Sequence, residues 1–255
     1  MIEEYDVFID SIIDWKKRIY HEMSFYEHLF AKHHVKTLLD LRCGSGHLLG
    51  SLSHLVKDAV GAERNAHLVK GARELTKLKQ NVTILHSSLD QLKSELAKTS
   101  APQIFSCIML LNNHLPSIIN DENFINYLRS IHNLLEKQGI VIFSLFNYHR
   151  VLMDGEYDFG TIPAIYEGTP YTLLRYMKVM DSDLIKYSAD VFDRHNNEAL
   201  SYQQLLKPLT KARLENYLFK AGFVEPEFYG DFSFNPFSPE RSRRMLVVVK
   251  RNQRS

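Results

Sequence analysis

The sequence has no long apolar run, few cysteines and almost no net charge. Its apolar stretches, such as residues 139–143, fall far below the roughly 18 consecutive apolar residues that a membrane helix needs. Two cysteines in 255 residues cannot build a disulfide framework. The first six residues are acidic, with no basic start followed by an apolar stretch, so we predict no signal peptide. These absences favour a soluble, cytoplasmic protein.

Composition also narrows the class of partner. The 31 basic and 30 acidic residues give a formal net charge of +1, so no overall attraction to nucleic acid is expected. No segment interleaves basic with aromatic residues at a spacing useful for nucleic-acid binding. With 11 glycines and 8 prolines, the chain is neither collagenous nor of low complexity. Its length suits one large domain, or one domain with a cap. We also predict no metal site.

Short apolar runs alternate with helical patterns over residues 37–146, which predicts a parallel sheet covered by helices. A helix is predicted over Asp121–Lys137, with Gly139 where a C-terminal cap belongs. The predicted strands of this part are 37–41, 58–62, 82–85, 104–111 and 140–146.

The pattern changes after residue 150. Three strand-like stretches, 171–180, 184–192 and 199–206, are joined by short polar connections that suit antiparallel hairpins. A helix capped by Thr210 and two further strands then resume the α/β pattern. The sequence thus predicts an N-terminal helical segment (1–36), an α/β core (37–149 and 210–255) and a β-rich insertion (150–209).

A glycine-rich turn follows the first predicted strand. Gly44 and Gly46 would let a ligand approach the backbone, because glycine has no Cβ to collide with it. Glu63 ends the next predicted strand about twenty residues on, where a carboxylate can accept hydrogen bonds from both hydroxyls of a ribose. The third glycine of a dinucleotide-binding fingerprint is missing, since His47 follows. This argues against NAD and favours a ribose-bearing ligand without a pyrophosphate.

The glycine-rich loop, Glu63 and several later stretches together resemble the class I S-adenosylmethionine-dependent methyltransferases. The resemblance implies an α/β fold with a Rossmann-like, doubly wound, seven-stranded and mostly parallel sheet, its last strand antiparallel, and a small antiparallel β insertion. It also implies S-adenosylmethionine as the cofactor. The matching stretches, in the family's order, are 38–46, Glu63, 105–113, 134–142, 221–223 and 246–249.

Within that family the chain is most similar to small-molecule N-methyltransferases of the glycine N-methyltransferase type. The segment 15–18, Trp-Lys-Lys-Arg, resembles part of their N-terminal helix, in which an arginine at the position of Arg18 holds the methionine carboxylate of the cofactor. A guanidinium fork matches a carboxylate well, although Arg18 would otherwise be a surface residue of an amphipathic helix. The cofactor-binding residues that the resemblance implies are Arg18, Asp40, Leu41, Arg42, Cys43, Gly44, Gly46, Glu63, Arg64, Ser87, Ser88, Leu89, Leu110 and Asn112.

Three departures from the family pattern bear on the cofactor site. Arg42 stands where the family usually has glycine or alanine, and it either turns away, helps to bind the cofactor carboxylate or blocks the pocket. Ser88 replaces an aspartate, so adenine recognition would rest on the backbone of residues 87–89 and a hydroxyl. Ser106 replaces the aspartate that usually opens the fourth strand. These departures keep a second hypothesis open, a non-catalytic ligand-binding protein on the same fold.

The implied reaction is direct, in-line methyl transfer to a small molecule, with nitrogen favoured over oxygen as the acceptor atom. The site should lie at the carboxyl ends of the strands, which places His114 after the fourth strand and Tyr148 after the fifth. His114 is the predicted proton acceptor because of its position and ordinary pKa, and Tyr148 would orient the acceptor's lone pair. The structural alternatives are a histidine bonded to its own loop and a tyrosine packed against the insertion.

Substrate identity depends on one position after the fifth strand. Phe146 stands where glycine-using relatives place an arginine, so we do not expect glycine as the acceptor unless Arg150 or Arg175 supplies the charge. The insertion resembles the caps of small-molecule methyltransferases, including those acting on nucleotide-linked amino sugars, where such strands also join subunits. The insertion is therefore both a predicted substrate cap and a candidate homodimer interface.

Overall fold

The computed structural model describes residues 2–181, 183–195 and 197–252. No helix in this part of the chain is long and apolar enough to cross a membrane. The helices are α1 (Ile2–Ser11), α2 (Trp15–Lys32), α3 (His47–Leu52), α4 (Ala66–Thr76), α5 (Leu89–Leu96), α6 (Asp121–Asn133), α7 (His149–Asp154) and α8 (Lys211–Lys220). The strands are β1 (Thr37–Leu41), β2 (Asp58–Glu63), β3 (Val82–His86), β4 (Phe105–Leu110), β5 (Leu135–Phe146), β6 (Glu156–Tyr166), β7 (Thr169–Val179), β8 (Ile185–Asp193), β9 (Glu198–Leu206), β10 (Phe223–Tyr229) and β11 (Arg244–Arg251).

The central sheet has seven strands in the order β10-β11-β5-β4-β1-β2-β3. Strand β1 pairs in parallel with β2 and β4, and parallel pairing continues to β3 and β5. Strand β11 runs antiparallel to both β5 and β10. The strand order reverses between β1 and β4, and such a switch point opens a crevice at the strand ends where ligands bind. The predicted Rossmann-like sheet with an antiparallel last strand is confirmed.

The sheet is covered on both faces because its central strands are apolar on both sides. Leu38 and Leu39, neighbours on β1, are fully buried and contribute to two different apolar clusters. Helices α5, α6 and α8 pack on the side of Leu39, and α2, α3 and α4 pack on the side of Leu38. Burying one leucine contributes about 1.5–3 kcal/mol. This two-sided burial holds the strand ends, and the loops that follow them, in place.

Helix α6 ends earlier than the sequence predicts. It stops at Asn133, and β5 begins at Leu135, so the last predicted turn is wrong and Gly139 lies within a strand instead of capping a helix. The cause is the neighbouring strand β4. The backbone N–H of Phe105 donates to the carbonyl of Leu134 at 2.8 Å, and Leu135 pairs with Phe105. Strand pairing therefore replaces the final helical hydrogen bonds.

A second, antiparallel sheet of four strands, β6-β7-β8-β9, is formed by residues 156–206. Its first strand was missed by the sequence patterns, because β6 is an edge strand that carries Pro163 and a register shift after Asp158. The inner face of this sheet packs on α1. There Tyr5 stacks on Tyr202, with 4.3 Å between the ring centroids. Helix α1 is thereby anchored to the four-stranded sheet.

Candidate functional site

The loop between β1 and α3 needs glycine at two positions. Gly44 and Gly46 have φ angles of 58° and 78°, in the left-handed region that favours glycine. A Cβ on Gly44 would lie 2.7 Å from Oδ1 of Asp10, and a Cβ on Gly46 would lie 3.1 Å from Cβ of Ala72. Gly44 therefore lets the Asp10 carboxylate of α1 approach the loop closely, and Gly46 lets the start of α3 approach α4 closely.

Glu63 lies beside this loop at the end of β2, and backbone amides hold its carboxylate. One oxygen accepts a hydrogen bond from the N–H of Gly44 at 3.2 Å. The other accepts from Arg64 at 2.8 Å and from Asn65 at 2.9 Å. Glu63 is only 2% exposed, yet it lines the larger of two cavities. The carboxylate is thus fixed at a cavity wall next to the glycine loop.

Two neighbouring cavities lie at the carboxyl ends of the strands. The larger has a volume of about 580 Å³ and the smaller about 180 Å³. Arg42, Arg64 and His114 line both cavities. The structure therefore brings together most of the predicted site. The predicted residues that line one or both cavities are Leu41, Arg42, Gly44, Glu63, Arg64, Ser87, Ser88, Leu89, Asn112 and His114.

Arg42 connects the glycine loop to α1. Its φ angle is 67°, a backbone conformation that explains a preference for glycine at this position. Its guanidinium donates to Oδ2 of Asp6 at 2.9 Å, and burial raises the pKa of Asp6 while the Arg42 charge opposes that rise. One turn further along α1, Asp10 accepts a hydrogen bond from the N–H of Ser45 at 3.3 Å. Helix α1 therefore joins the four-stranded sheet to the glycine loop.

The residues that α1 adds to the larger cavity, Tyr5, Asp6, Ile9 and Asp10, were missed by sequence reasoning. Their sequence signal is weak: the four-residue spacing places Asp6 and Asp10 on one face of a helix. The spacing does not say what that face contacts, because its partners, Arg42 and Ser45, are 36 and 35 positions away.

Six of the predicted residues, all in the described part of the chain, line neither cavity. They are Arg18, Asp40, Cys43, Gly46, Leu110 and Tyr148. Arg18 donates to Oε1 of Glu22 at 2.9 Å and lies over the ring of Trp15, 5.0 Å from its centroid. Glu22 is 3% exposed, so a buried carboxylate holds the Arg18 guanidinium. Burial raises the pKa of Asp40 to about 8, with the charge of Arg18 acting against the rise.

The two predicted catalytic side chains occupy different environments. Tyr148 is fully buried, and its hydroxyl accepts a hydrogen bond from Nδ2 of Asn113 at 2.8 Å. Oδ1 of Asn113 in turn accepts from the N–H of Phe146 at 2.9 Å, so Asn113 joins the ends of β4 and β5. His114 lines both cavities, and burial, together with the positive charge of Arg42, lowers the pKa of His114 to about 3.

The depressed pKa of His114 predicts a pH-dependent stability. The unfolded chain binds a proton at this histidine below about pH 6.5, whereas the folded protein does not until about pH 3. The wild type should therefore lose stability relative to His114→Gln by up to about 1.4 kcal/mol per pH unit as the pH falls from 6 to 4. Urea unfolding of both proteins at pH 6, 5 and 4 measures this. A constant difference across the three pH values would contradict it.

Six aromatic residues contribute to the rest of the larger cavity. Phe146, at the end of β5, lies 5.4 Å from Phe159 of β6 between ring centroids. Arg175 of β7 lies over the Phe159 ring at 4.9 Å and lines the cavity, whereas Arg150 lies over the ring of Tyr157 at 5.8 Å. Of the two arginines that the sequence offered as a substitute charge, the structure places Arg175 at the cavity. The other aromatic lining residues are Tyr5, Trp15, Tyr187 and Tyr202.

Comparison with known proteins decides the family. Residues 15–224 match the family described as "Methyltransferase domain". The chain belongs to the class I S-adenosylmethionine-dependent methyltransferases. This membership confirms the predicted family, enzyme class and cofactor, and it favours neither an NAD-linked enzyme nor a non-catalytic binding protein.

Two curated relatives are similar to this methyltransferase over most of its length. The glycine/sarcosine N-methyltransferase of Aphanothece halophytica is 23% identical over 224 residues, which cover 88% of this chain and 79% of the relative. The glycine/sarcosine N-methyltransferase of Halorhodospira halochloris is 24% identical over 234 residues, which cover 90% of this chain and 82% of the relative.

Solved structures share the fold. An S-adenosylmethionine-dependent methyltransferase from Clostridium acetobutylicum superposes with a TM-score of 0.72 at 17% identity, covering 97% of this chain and 96% of that one. The S-adenosylmethionine-bound amino pentose methyltransferase CalS10 from Micromonospora echinaspora superposes with a TM-score of 0.68 at 15% identity, covering 94% and 92%. The likeness in fold therefore extends over nearly the whole of this methyltransferase.

Proposed function

We propose that this methyltransferase transfers a methyl group in line to the nitrogen of a small-molecule amine. The observation that carries the proposal is a cavity of about 580 Å³ that is lined by Gly44 of the glycine loop and by the fixed carboxylate of Glu63. The curated relatives are named as N-methyltransferases of glycine and sarcosine, and CalS10 as an amino pentose methyltransferase, which supports a small amine as the acceptor.

The residues at the two cavities fit the cofactor that the family uses. Glu63 would accept hydrogen bonds from the ribose hydroxyls, and the smaller cavity beside Ser87, Ser88 and Leu89 would take the adenine. Gly44 lines the larger cavity, where a residue without a side chain would let the ligand approach the loop backbone. When bound, S-adenosylmethionine supplies a methyl group that is already activated on a sulfonium. The protein therefore needs no nucleophile of its own.

What the chain contributes is position and exclusion of water. The aromatic lining around Phe146 and Phe159 would hold the acceptor in line with the bound methyl group, and orientation of this kind contributes up to about 7–11 kcal/mol to catalysis. Because its pKa is near 3, His114 would be neutral at pH 7. It would offer the acceptor a hydrogen bond but would not keep a proton taken from it. A hydroxyl acceptor generally needs a stronger base, so the low pKa of His114 supports nitrogen.

Ligand-dependent melting temperatures test the proposal. S-adenosylmethionine and S-adenosylhomocysteine, each at about 100 times its dissociation constant, should stabilise the protein by about 2.7 kcal/mol. For a chain of this size, such a gain corresponds to a rise of about 5 °C or more in melting temperature. NAD at the same concentration should produce no rise. A rise with NAD but with neither adenosyl ligand would contradict the proposal.

We also propose that the four-stranded sheet joins two copies of the chain. Ile165, Leu174 and Leu205 lie on its outer face and are 71%, 40% and 44% exposed. Light scattering should give twice the mass of one chain for the wild type and the mass of one chain for Leu174→Glu, because a charge on an apolar interface opposes its burial. Leu78→Glu, at a leucine that is 88% exposed outside this sheet, is the control. A wild type with the mass of one chain would contradict the proposal.

A further inference from the structure

Arg175 places a positive charge on a face of the four-stranded sheet that has no other charged residue at the larger cavity. It projects from the inner face of the four-stranded sheet, between Leu173 and Met177 on β7, which are 1% and 2% exposed. The residue opposite it on β8, Ala189, is fully buried. A guanidinium keeps its charge in proteins, and a charge in such surroundings is unfavourable unless a partner satisfies it.

The contacts of Arg175 leave part of its guanidinium unsatisfied. The group stacks over the ring of Phe159 at 4.9 Å, and its charge acts on Tyr5 and Tyr187, whose hydroxyls share a hydrogen bond of 2.5 Å. Burial raises the pKa of Tyr187, whereas the charge of Arg175 and a hydrogen bond between the Arg175 and Tyr187 side chains oppose that rise. Nε of Arg175 is buried, with no hydrogen-bond partner among the described residues. The ion pairs among the described residues do not include Arg175.

The carboxylates that line the same cavity are engaged elsewhere. Asp6 accepts from Arg42 at 2.9 Å. Asp10 accepts a backbone N–H of the glycine loop, and Glu63 accepts three backbone N–H groups. The charge of Arg175 therefore faces the cavity without a neutralising group from the protein. An anionic group on a ligand in the cavity would supply one.

We infer that Arg175 binds an anionic group of the methyl acceptor, so that the substrate is a small amine that also carries a carboxylate or another anion. This inference rests on the proposed function and adds the substrate class to it. A guanidinium fork holds a carboxylate through two parallel hydrogen bonds, which fixes orientation as well as charge. Phe159 lies between Arg175 and Phe146, so the anion would lie on the side of the four-stranded sheet and the amine nearer the end of β5.

Calorimetric titration of matched amines tests the inference. The protein is first saturated with S-adenosylhomocysteine and then titrated, at up to about 10 mM, with pairs that differ in the anion. The pairs are L-phenylalanine and L-phenylalaninamide, 4-aminobutyrate and butylamine, and O-phosphoethanolamine and ethanolamine. We expect the anionic member of at least one pair to bind at least about 10-fold more tightly than its neutral partner, because hydrogen bonds to charged groups are the strong ones. A preference in the first two pairs would indicate a carboxylate, and a preference in the third pair alone would indicate a phosphate.

Three variants then assign the preference to Arg175. Arg175→Gln should lose the preference for the anion, and Arg175→Lys should keep part of it, because it retains the charge without the fork. Arg150→Gln, at the arginine that stacks on Tyr157, should retain all of it. The affinity for S-adenosylhomocysteine should be the same in all three variants as in the wild type. Arg175→Gln should not lower the melting temperature, because it removes a charge that the free protein leaves unneutralised. Together these readouts separate a role toward the acceptor from a role in folding.

Several results would overturn the inference. These are an equal affinity of the wild-type complex for all anionic and neutral partners, no binding of any anionic amine, or an unchanged preference in Arg175→Gln. The inference would also be overturned if Arg175→Gln lost affinity for S-adenosylhomocysteine as much as it lost affinity for the anionic amine, since the guanidinium would then serve the cofactor. In each case the proposed methyl transfer stands if S-adenosylhomocysteine binds the wild type. Failure of the wild type to bind S-adenosylhomocysteine contradicts the proposed function itself.

Discussion

Glu63→Ala is expected to abolish the rise in melting temperature with S-adenosylhomocysteine and to destabilise the free protein. The carboxylate is the predicted acceptor for two ribose hydroxyls, and hydrogen bonds to a charged group contribute about 1.5–3 kcal/mol each, so affinity should fall about 100-fold or more. The same carboxylate accepts the N–H groups of Gly44 and Arg64. Each buried amide left without its partner would lower the free energy of unfolding by about 1–3 kcal/mol.

Two further variants separate binding from folding. Glu63→Gln keeps the side-chain volume but turns an acceptor into a donor on one side, so it should weaken ligand binding with a smaller loss of stability. Glu74→Ala removes an exposed glutamate of α4 that pairs with Lys77, and it should leave the ligand affinity unchanged. Isothermal titration and urea unfolding of each variant give the two quantities. Wild-type affinity in Glu63→Gln would show that this carboxylate does not hold the ligand.

Gly44→Ala should produce the second large loss of ligand binding. A Cβ at this residue would lie 2.7 Å from Oδ1 of Asp10, so the loop and the Asp10 carboxylate, which both line the cavity proposed to hold the ligand, would have to move apart. The φ angle of 58° adds a strain of about 1–2 kcal/mol for any residue with a Cβ. We expect at least about a 10-fold loss of affinity for S-adenosylhomocysteine, measured by titration calorimetry, with a stability loss of about 1–2 kcal/mol.

Gly71→Ala is the matched control for Gly44→Ala. Gly71 lies on the exposed side of α4, and the nearest atom to an added Cβ is Cβ of Ser45 at 3.8 Å, an ordinary contact. Alanine in a helix is favoured over glycine by up to about 1 kcal/mol, so this variant should be as stable as the wild type or more stable, with the same ligand affinity. If Gly44→Ala also bound the ligand like the wild type, the ligand could not rest on that part of the loop.

The strands and caps that the sequence predicted correctly depend on local signals. The buried run 37–41 is β1, and Thr210 caps α8 by accepting a hydrogen bond from the N–H of Arg213. The turn at Gly44 and Gly46 has the positive φ angles that favour glycine. Each of these features is decided by residues a few positions apart, so a pattern in the sequence is enough to find it.

The errors fall where a neighbour in space overrides a local pattern. The apolar spacing continues the helical signal past Asn133, but pairing with Phe105 makes Leu135 part of a strand. The sequence patterns do not predict strand β6, because Pro163 and the register shift after Asp158 interrupt the alternation of apolar and polar residues. The strand tolerates both because it lies at a sheet edge, where a lost hydrogen bond matters less.

The sequence by itself determined the strands of the seven-stranded sheet, the glycine loop and the acid that follows it, because these are set by backbone preferences and by apolar periodicity along the chain. Only the tertiary structure decided which charged groups face the cavity. Buried Glu22 holds Arg18 away from it, α1 brings Asp6 to Arg42, and the four-stranded sheet brings Arg175 to the cavity wall. The physical reason is that the free energy of a charge depends on its surroundings, which only the packing of residues distant in sequence creates.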